Sequence, residues 1–182
     1  MTHAETISLK ELNGLSRSAF VSVLGGIFEH SPWVAEAVFE QGPFRSVQEL
    51  HGKMLAIVEQ SGGERILELI RAHPDLAGRM KVEGYSAKEQ QGAGLDALTA
   101  EEYERFTQLN ESYKRKFGFP FILAVTGKTK DDIAAAMKER VQHEPEAERQ
   151  TALREIGRIA EIRLNQFIAG SAGAPERMDE SC

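Results

Sequence analysis

Three places in this sequence carry side chains able to do chemistry. His73 falls in helical phase with Ile66, Leu69 and Ile70, so it faces inward, at a point where Pro74 forces the chain to turn. An inward histidine of this kind is either a core residue bonded to a backbone carbonyl or a general acid or base at the mouth of a pocket. Ser86 and Glu89 have the Ser-x-x-Glu spacing of a capping box, which predicts a helix start there. The adjoining Gln90 offers both a donor and an acceptor to a polar heterocycle. Arg163 falls between Ile156 and Ile159 on a helical wheel, inside the apolar arc of the last helix, whereas Arg154 and Arg158 fall on the opposite side. An arginine so placed snorkels to the surface, pairs with a buried carboxylate, or clamps an anion with its planar fork.

Other chemistries lack their residues. The single cysteine, Cys182, is the last residue, which leaves no intrachain disulfide and no cysteine metal cage. His73-Pro-Asp75 has no companion at i+4, and His3, His30, His51 and His143 are scattered, so no metal site is expected. No Gly-x-Ser-x-Gly elbow is present, Gly92-Ala-Gly94 follows no strand, and Lys128 lacks the glycine-rich approach of a phosphate loop. The formal net charge of -6 speaks against nucleic acid, whose backbone needs a basic face. No stretch approaches the roughly 20 apolar residues of a membrane span. The first residues show neither a basic start nor an apolar signal region, and Glu180-Ser181-Cys182 is not a peroxisomal address, so a cytoplasmic location is expected.

The elements that must position these residues read as helices with short connections. Phe20, Val23, Leu24 and Ile27 mark a helical face within residues 16–28. Ser31-Pro32 predicts the start of a helix through Trp33, with Trp33 in the core, and Ser46 with Glu49 predicts another, ended by Gly62-Gly63. The helix bearing His73 follows, then a loop over residues 74–85 and a short element from Ser86 to Gly92. Thr99 and Glu102 open a long charged helix that ends with Gly118. Residues 119–125 form a compact apolar run that periodicity leaves open between a strand and a buried turn or helix. Thr129 caps a helix through Ile133 and Met137, and the last helix runs from near Pro145 to Ala169 with Leu153, Ile156, Ala160, Leu164 and Phe167 as its stripe. The expectation is one all-α domain over residues 1–169, of about seven or eight helices and with no sheet, followed by a disordered tail over 170–182.

Taken in order, His73-Pro-Asp-Leu-Ala-Gly78, Ser86-x-x-Glu89-Gln90 with Ala93-Gly-Leu95, and Phe117-Gly-Phe-Pro-Phe-Ile122 closely resemble the signature segments of the OHCU decarboxylases. These are the 2-oxo-4-hydroxy-4-carboxy-5-ureidoimidazoline decarboxylases of urate breakdown. Leu12-Asn13-Gly-Leu15, Glu29-His-Ser-Pro-Trp33, Gly42-Pro-Phe44 and Glu155-Ile-x-x-Ile-Ala160 with Arg163-Leu164 extend the resemblance over about residues 9–168. The resemblance implies an all-helical homodimer without cofactor or metal that converts a small ureido-imidazoline acid to (S)-allantoin. It places the proton donor on His73. It places Glu89 in the substrate-contacting stretch, and the chemistry leads us to expect Glu89 hydrogen-bonded to both His73 and the substrate hydroxyl, helping the imidazole stay protonated. Substrate contacts are implied at Pro74, Ser86 and Gln90, along the backbone of Phe121, Ile122, Leu123, Ala124 and Val125, and at Arg163 as the carboxylate-binding arginine. The rival expectation is a helical interaction or ureide-binding module without turnover, in which His73 and Arg163 merely complete the core; a metal-dependent hydrolase is a further one.

Overall fold

The computed structural model describes residues 6–78 and 83–169. Short helices dominate it, and side-chain caps set most of their starts. Ser8 caps α1 (Leu9–Asn13), Ser16 caps α2 (Arg17–Leu24), Ser46 caps α4 (Val47–Gln60), Thr99 caps α7 (Ala100–Phe117) and Thr129 caps α8 (Lys130–Arg140). In each, the hydroxyl oxygen accepts an otherwise unpaired amide N–H of the first turn, and losing such a cap costs about 0.5–2 kcal/mol. Thr99 and Thr129 complete their capping boxes, with Glu102 and Asp132 reaching back to the cap amide. At Ser46 the reciprocal half differs, because Glu49 turns to the amide of Arg45 instead.

The remaining helices are α3 (Trp33–Phe39), α5 (Gly63–Arg71), α6 (Gly84–Gly92) and α9 (Pro145–Phe167). Nine helices therefore stand among the described residues, one more than the upper expectation, since the five-residue α1 has too little length for a periodic signal. The expected absence of a sheet is corrected in one detail. Ile7–Ser8 (β1) and Ile168–Ala169 (β2) pair in parallel, so the last helix stops at Phe167 and its final two residues tie the ends of the domain together. Ser31 is not an N-cap either: Pro32 occupies that position, and the Ser31 hydroxyl donates to the Glu29 carbonyl. Trp33 is only half-buried, with the Arg65 guanidinium over its ring. The expected tail at 170–182 lies outside the described residues.

The long helix α9 is the backbone of the packing. It buries Ala152, Ile156, Ala160 and Leu164 and carries Arg154 and Arg158 on the outside, as the wheel predicts. α4 packs against it, and Gly157 lets Leu55 close in: a Cβ there would meet a Leu55 methyl at 3.1 Å. α5 and α7 also pack on α9. The apolar run at 119–125 is neither strand nor helix; it is an irregular segment, buried at Phe119, Phe121, Ile122 and Val125, lying in the chain between α7 and α8. Left-handed Gly118, at φ 77°, turns the chain out of α7 into it. Among the described residues, no helix is long and apolar enough to cross a membrane.

Candidate active site

The ends of α5, α6 and α9 and the segment 119–125 meet around one small cavity. His73 enters it from just past α5. A helix that cannot continue into Pro74 leaves its last carbonyls unpaired, and His73 uses one of them: its Nδ1 lies 3.0 Å from the Leu69 carbonyl oxygen. A carbonyl only accepts, so Nδ1 carries the proton and the neutral ring keeps its lone pair on Nε2. The ring is buried, and burial, its largest influence, pulls the imidazole below the ordinary histidine range; the Leu69 carbonyl, Glu29 and Glu89 act in the opposite sense. Pro74 and Leu76 line the cavity beside it.

Arg163 is the electrostatic centre of the site and is 1% exposed. Its Nε and Nη2 hold the two oxygens of Glu89 at 2.7 and 2.9 Å. Nη2 also donates to the Ser86 hydroxyl at 3.0 Å, while Nη1 reaches Glu29 at 3.0 Å and the carbonyls of Ile27 and Gly26 at 3.2 and 3.4 Å. Ser86 in turn donates to Glu29 at 2.7 Å. The ring of Tyr85 lies 5.3 Å from the guanidinium. Of the fates open to this arginine, pairing with buried carboxylates is the one the fold adopts, and both edges of its fork are engaged. Such a group is stable only because each charge is met; removing one partner of a buried pair costs about 3–5 kcal/mol.

Several expected contacts are redirected. Ser86 and Glu89 are not a capping box, because α6 starts at Gly84 and both residues lie within the helix, one turn apart on the face that meets Arg163. Glu89 is turned to Arg163, and among the described residues no hydrogen bond joins it to His73. Gln90 is occupied by the chain itself: its Oε1 accepts from the Ala77 amide at 3.0 Å and its Nε2 donates to the Asp75 carbonyl at 3.3 Å. It thereby fixes the loop after His73, where Ala77 sits at a left-handed φ of 55°. The fourth wall is the irregular segment, through Phe121, Ile122, Leu123 and Val125; Ala124 is not on the lining, and its amide donates to Glu155 at 2.9 Å.

Glu29, Arg140, Glu148 and Glu155 went unassigned in the sequence reading. Arg140 donates to the Ile122 carbonyl at 2.7 Å and to Glu148, which is fully buried and also receives the Tyr113 hydroxyl and the His143 ring. Desolvation and the neighbouring Glu148 carboxylate push the Tyr113 phenol far above its ordinary range, so it remains the donor. Arg140 and Glu155, with Glu148 behind Arg140, hold the backbone at Ile122 and Ala124 from outside the cavity, whereas Glu29 belongs to the Arg163 cluster. Their only sequence signal is charge in otherwise apolar packing positions; Glu29 lies in a turn, where no period exists to betray it.

The cavity has about 20 Å³ of free space, room for roughly one water. Beyond Glu89 a cleft of about 310 Å³ opens, lined by Tyr85, Lys88, Thr126, Gly127 and Phe167. A groove of about 410 Å³ between α4 and α9 has His51 bonded to the Gly157 carbonyl. Among the described residues no three His, Cys, Asp or Glu side chains gather into a metal-binding set.

A buried histidine with one defined tautomer, beside a guanidinium–carboxylate cluster at a small cavity in a mostly helical domain, defines a class: a helical protein with a polar cavity lined by titratable groups. The OHCU decarboxylase family model matches residues 13–165, and the chain belongs to that family. The 2-oxo-4-hydroxy-4-carboxy-5-ureidoimidazoline decarboxylase of Haloferax volcanii is 47% identical over 158 residues, 87% of this chain and 94% of that one. A solved (S)-allantoin synthase superposes with a TM-score of 0.74 at 38% identity, covering 89% of this chain and 54% of its own. A solved OHCU decarboxylase, crystallised in the presence of (S)-allantoin, superposes with a TM-score of 0.64 at 27% identity, over 77% and 93% of the two chains.

Proposed function

We propose that this chain decarboxylates 2-oxo-4-hydroxy-4-carboxy-5-ureidoimidazoline to (S)-allantoin, with His73 as the proton donor. Family membership supports the reaction. The observation that supports the role of His73 is its locked ring: Nδ1 is committed to Leu69, which leaves Nε2 as the atom directed to chemistry.

The reaction suits such a site. The bond between the ring carbon and its carboxylate breaks, and the electron pair moves into the ring toward the neighbouring C=N. Carbon dioxide leaves, and the electron-rich ring then takes a proton on one face. The substrate's own heterocycle is the electron sink, so the proposed steps call on positioning, desolvation and one proton. General acid catalysis of this kind contributes typically about 10²–10⁴-fold. His73 is held neutral by burial in the unoccupied site, and an arriving carboxylate brings negative charge beside it, which favours the imidazolium. As that charge passes into the ring, Nε2 returns the proton to carbon.

Glu89 is the partner for the substrate hydroxyl. Pro74 and the backbone of residues 121–125 form the walls against the ring, and Ser86 and Gln90 supply further polar contacts. Arg163 accepts the substrate's anionic or carbonyl group in exchange for one of the acceptors it now holds, and a planar fork suits that exchange better than a point charge. The chain is further proposed to act as a homodimer in the cytoplasm. The test is direct. Added to freshly formed substrate, the wild-type protein is expected to speed the decay of its absorbance, and folded His73→Asn to leave it near the spontaneous rate. Near-normal turnover in His73→Asn overturns the assignment of the acid.

A further inference from the structure

The cluster around Arg163 holds one carboxylate more than its charge requires. Glu89 takes the guanidinium edge with both oxygens, so those two charges compensate one another at close range. Glu29 touches the same guanidinium with one oxygen only, the oxygen that also accepts from Ser86. Its other oxygen has the exposed His30 ring at 3.9 Å. Among the described residues, the remaining charged and titratable groups add no second cation hydrogen-bonded to either carboxylate. Tyr85, whose phenol burial pushes up, stays neutral; Lys88 lies on the exposed side of α6; and Asp75, past His73, is paired with Lys114 at 2.6 Å. Among the described residues, two carboxylates therefore meet one guanidinium, and His73 is the other cavity-lining group able to take a positive charge.

We propose that Glu29, on the turn after α2, is the positioning residue that sets the charge of this site. It splits the Arg163 fork between two carboxylates and leaves one negative charge in surplus, which works against burial and favours the proton that His73 takes up when the site fills. This rests on the decarboxylase reading for its consequence, but not for its physics. Of the two glutamates near the imidazole, Glu29 exerts the larger pull toward the protonated ring, in keeping with Glu89 being compensated at both oxygens. The role the sequence suggested for Glu89, helping the histidine to take a proton, thus passes to Glu29, while Glu89 is left to face the substrate.

The test is a proton-NMR titration of the His73 ring, its resonance assigned by loss in His73→Gln, in the wild type, Glu29→Gln and Glu29→Asp. Glu29→Gln keeps the shape and removes the charge, so it is expected to lower the imidazolium population about tenfold at a fixed pH within the titration. Glu29→Asp, which keeps the charge, is expected to restore most of it. The alkaline limb of the kcat/KM profile moves to lower pH with the titration. An unmoved midpoint in folded Glu29→Gln overturns the proposal, as does a midpoint in Glu29→Asp displaced as far as in Glu29→Gln. Should Glu29→Gln not fold, the carbon-13 shift of the Glu29 carboxyl in the wild type decides. An ionised carboxyl at neutral pH is expected, and a protonated one overturns the surplus charge. A wild type that titrates as described yet does not turn substrate over removes the decarboxylase reading and leaves this inference standing.

Discussion

At the scale of the residue, the site is a set of committed hydrogen bonds. His73 gives Nδ1 to Leu69, Gln90 gives both ends of its amide to the loop at Asp75–Ala77, and Arg163 gives every edge of its guanidinium to acceptors. Burial depresses the His73 value, and this has a consequence for stability. The unfolded chain binds a proton near the ordinary histidine value of about 6.5, and the folded chain resists it. The stability this group contributes is full above that pH and is lost as pH falls below it. Thermal melts should therefore show the wild type losing more Tm than His73→Gln between pH 7.5 and pH 5.5. Equal losses in the two proteins contradict the buried, neutral ring. Arg163→Met, which strands Glu29 and Glu89 without their cation, is expected to cost about 3–5 kcal/mol by urea unfolding; a loss below 1 kcal/mol shows that the cluster is not closed as described. Much of this was legible in the sequence. An arginine inside an apolar arc and a histidine in phase with Ile66, Leu69 and Ile70 announce buried polar groups. Which partners they choose was not legible: Glu29 is 134 residues from Arg163 along the chain, and no local spacing encodes the pair.

At the scale of the element, the irregular segment 119–125 is the part that the sequence left open, and the reason is physical. A segment whose backbone groups pair with side chains rather than with a regular ladder has no period to show. Arg140 holds the Ile122 carbonyl and Glu155 the Ala124 amide, from α8 and α9. Replacing Glu155 with Leu leaves a part-buried amide without its acceptor, a loss of about 1–3 kcal/mol. Because the segment forms a wall of the cavity, steady-state kinetics should show KM rising more than kcat falls. An unchanged KM in a destabilised Glu155→Leu protein detaches the segment from substrate binding. Gly118 makes the turn into this wall at φ 77°, with the nearest atom to an added Cβ 3.7 Å away. Gly118→Ala is therefore expected to cost only the backbone penalty, about 1–2 kcal/mol, read from the shift in the urea midpoint. The spacing Ser86-x-x-Glu89 misled for a related reason. A capping box and two residues one turn apart on a helix face share the same spacing, and only the packing of α6 against Arg163 separates them.

At the scale of the whole molecule, α9 supplies the core stripe, Arg163 for the site and Glu155 for its wall, while α6 brings Ser86, Glu89 and Gln90 and the end of α5 brings His73. The helical class and eight of the nine helices among the described residues followed from periodicity and caps, since both are local. The closure of the ends through β1 and β2 did not, since two residues give no alternating pattern. The placement of His73 and the 121–125 wall around one cavity bears on the central claim. A ring that loses carbon dioxide in free solution is protonated on either face, whereas a ring held between His73 and the 121–125 wall is protonated from the histidine side alone. The most direct measurement is the circular dichroism of the product. Urate would be converted in place by urate oxidase and hydroxyisourate hydrolase in the presence of this protein or of folded His73→Asn. The account predicts optically pure (S)-allantoin with the wild type and a slow, racemic product with the variant. Racemic allantoin formed at the spontaneous rate by the folded wild type contradicts it.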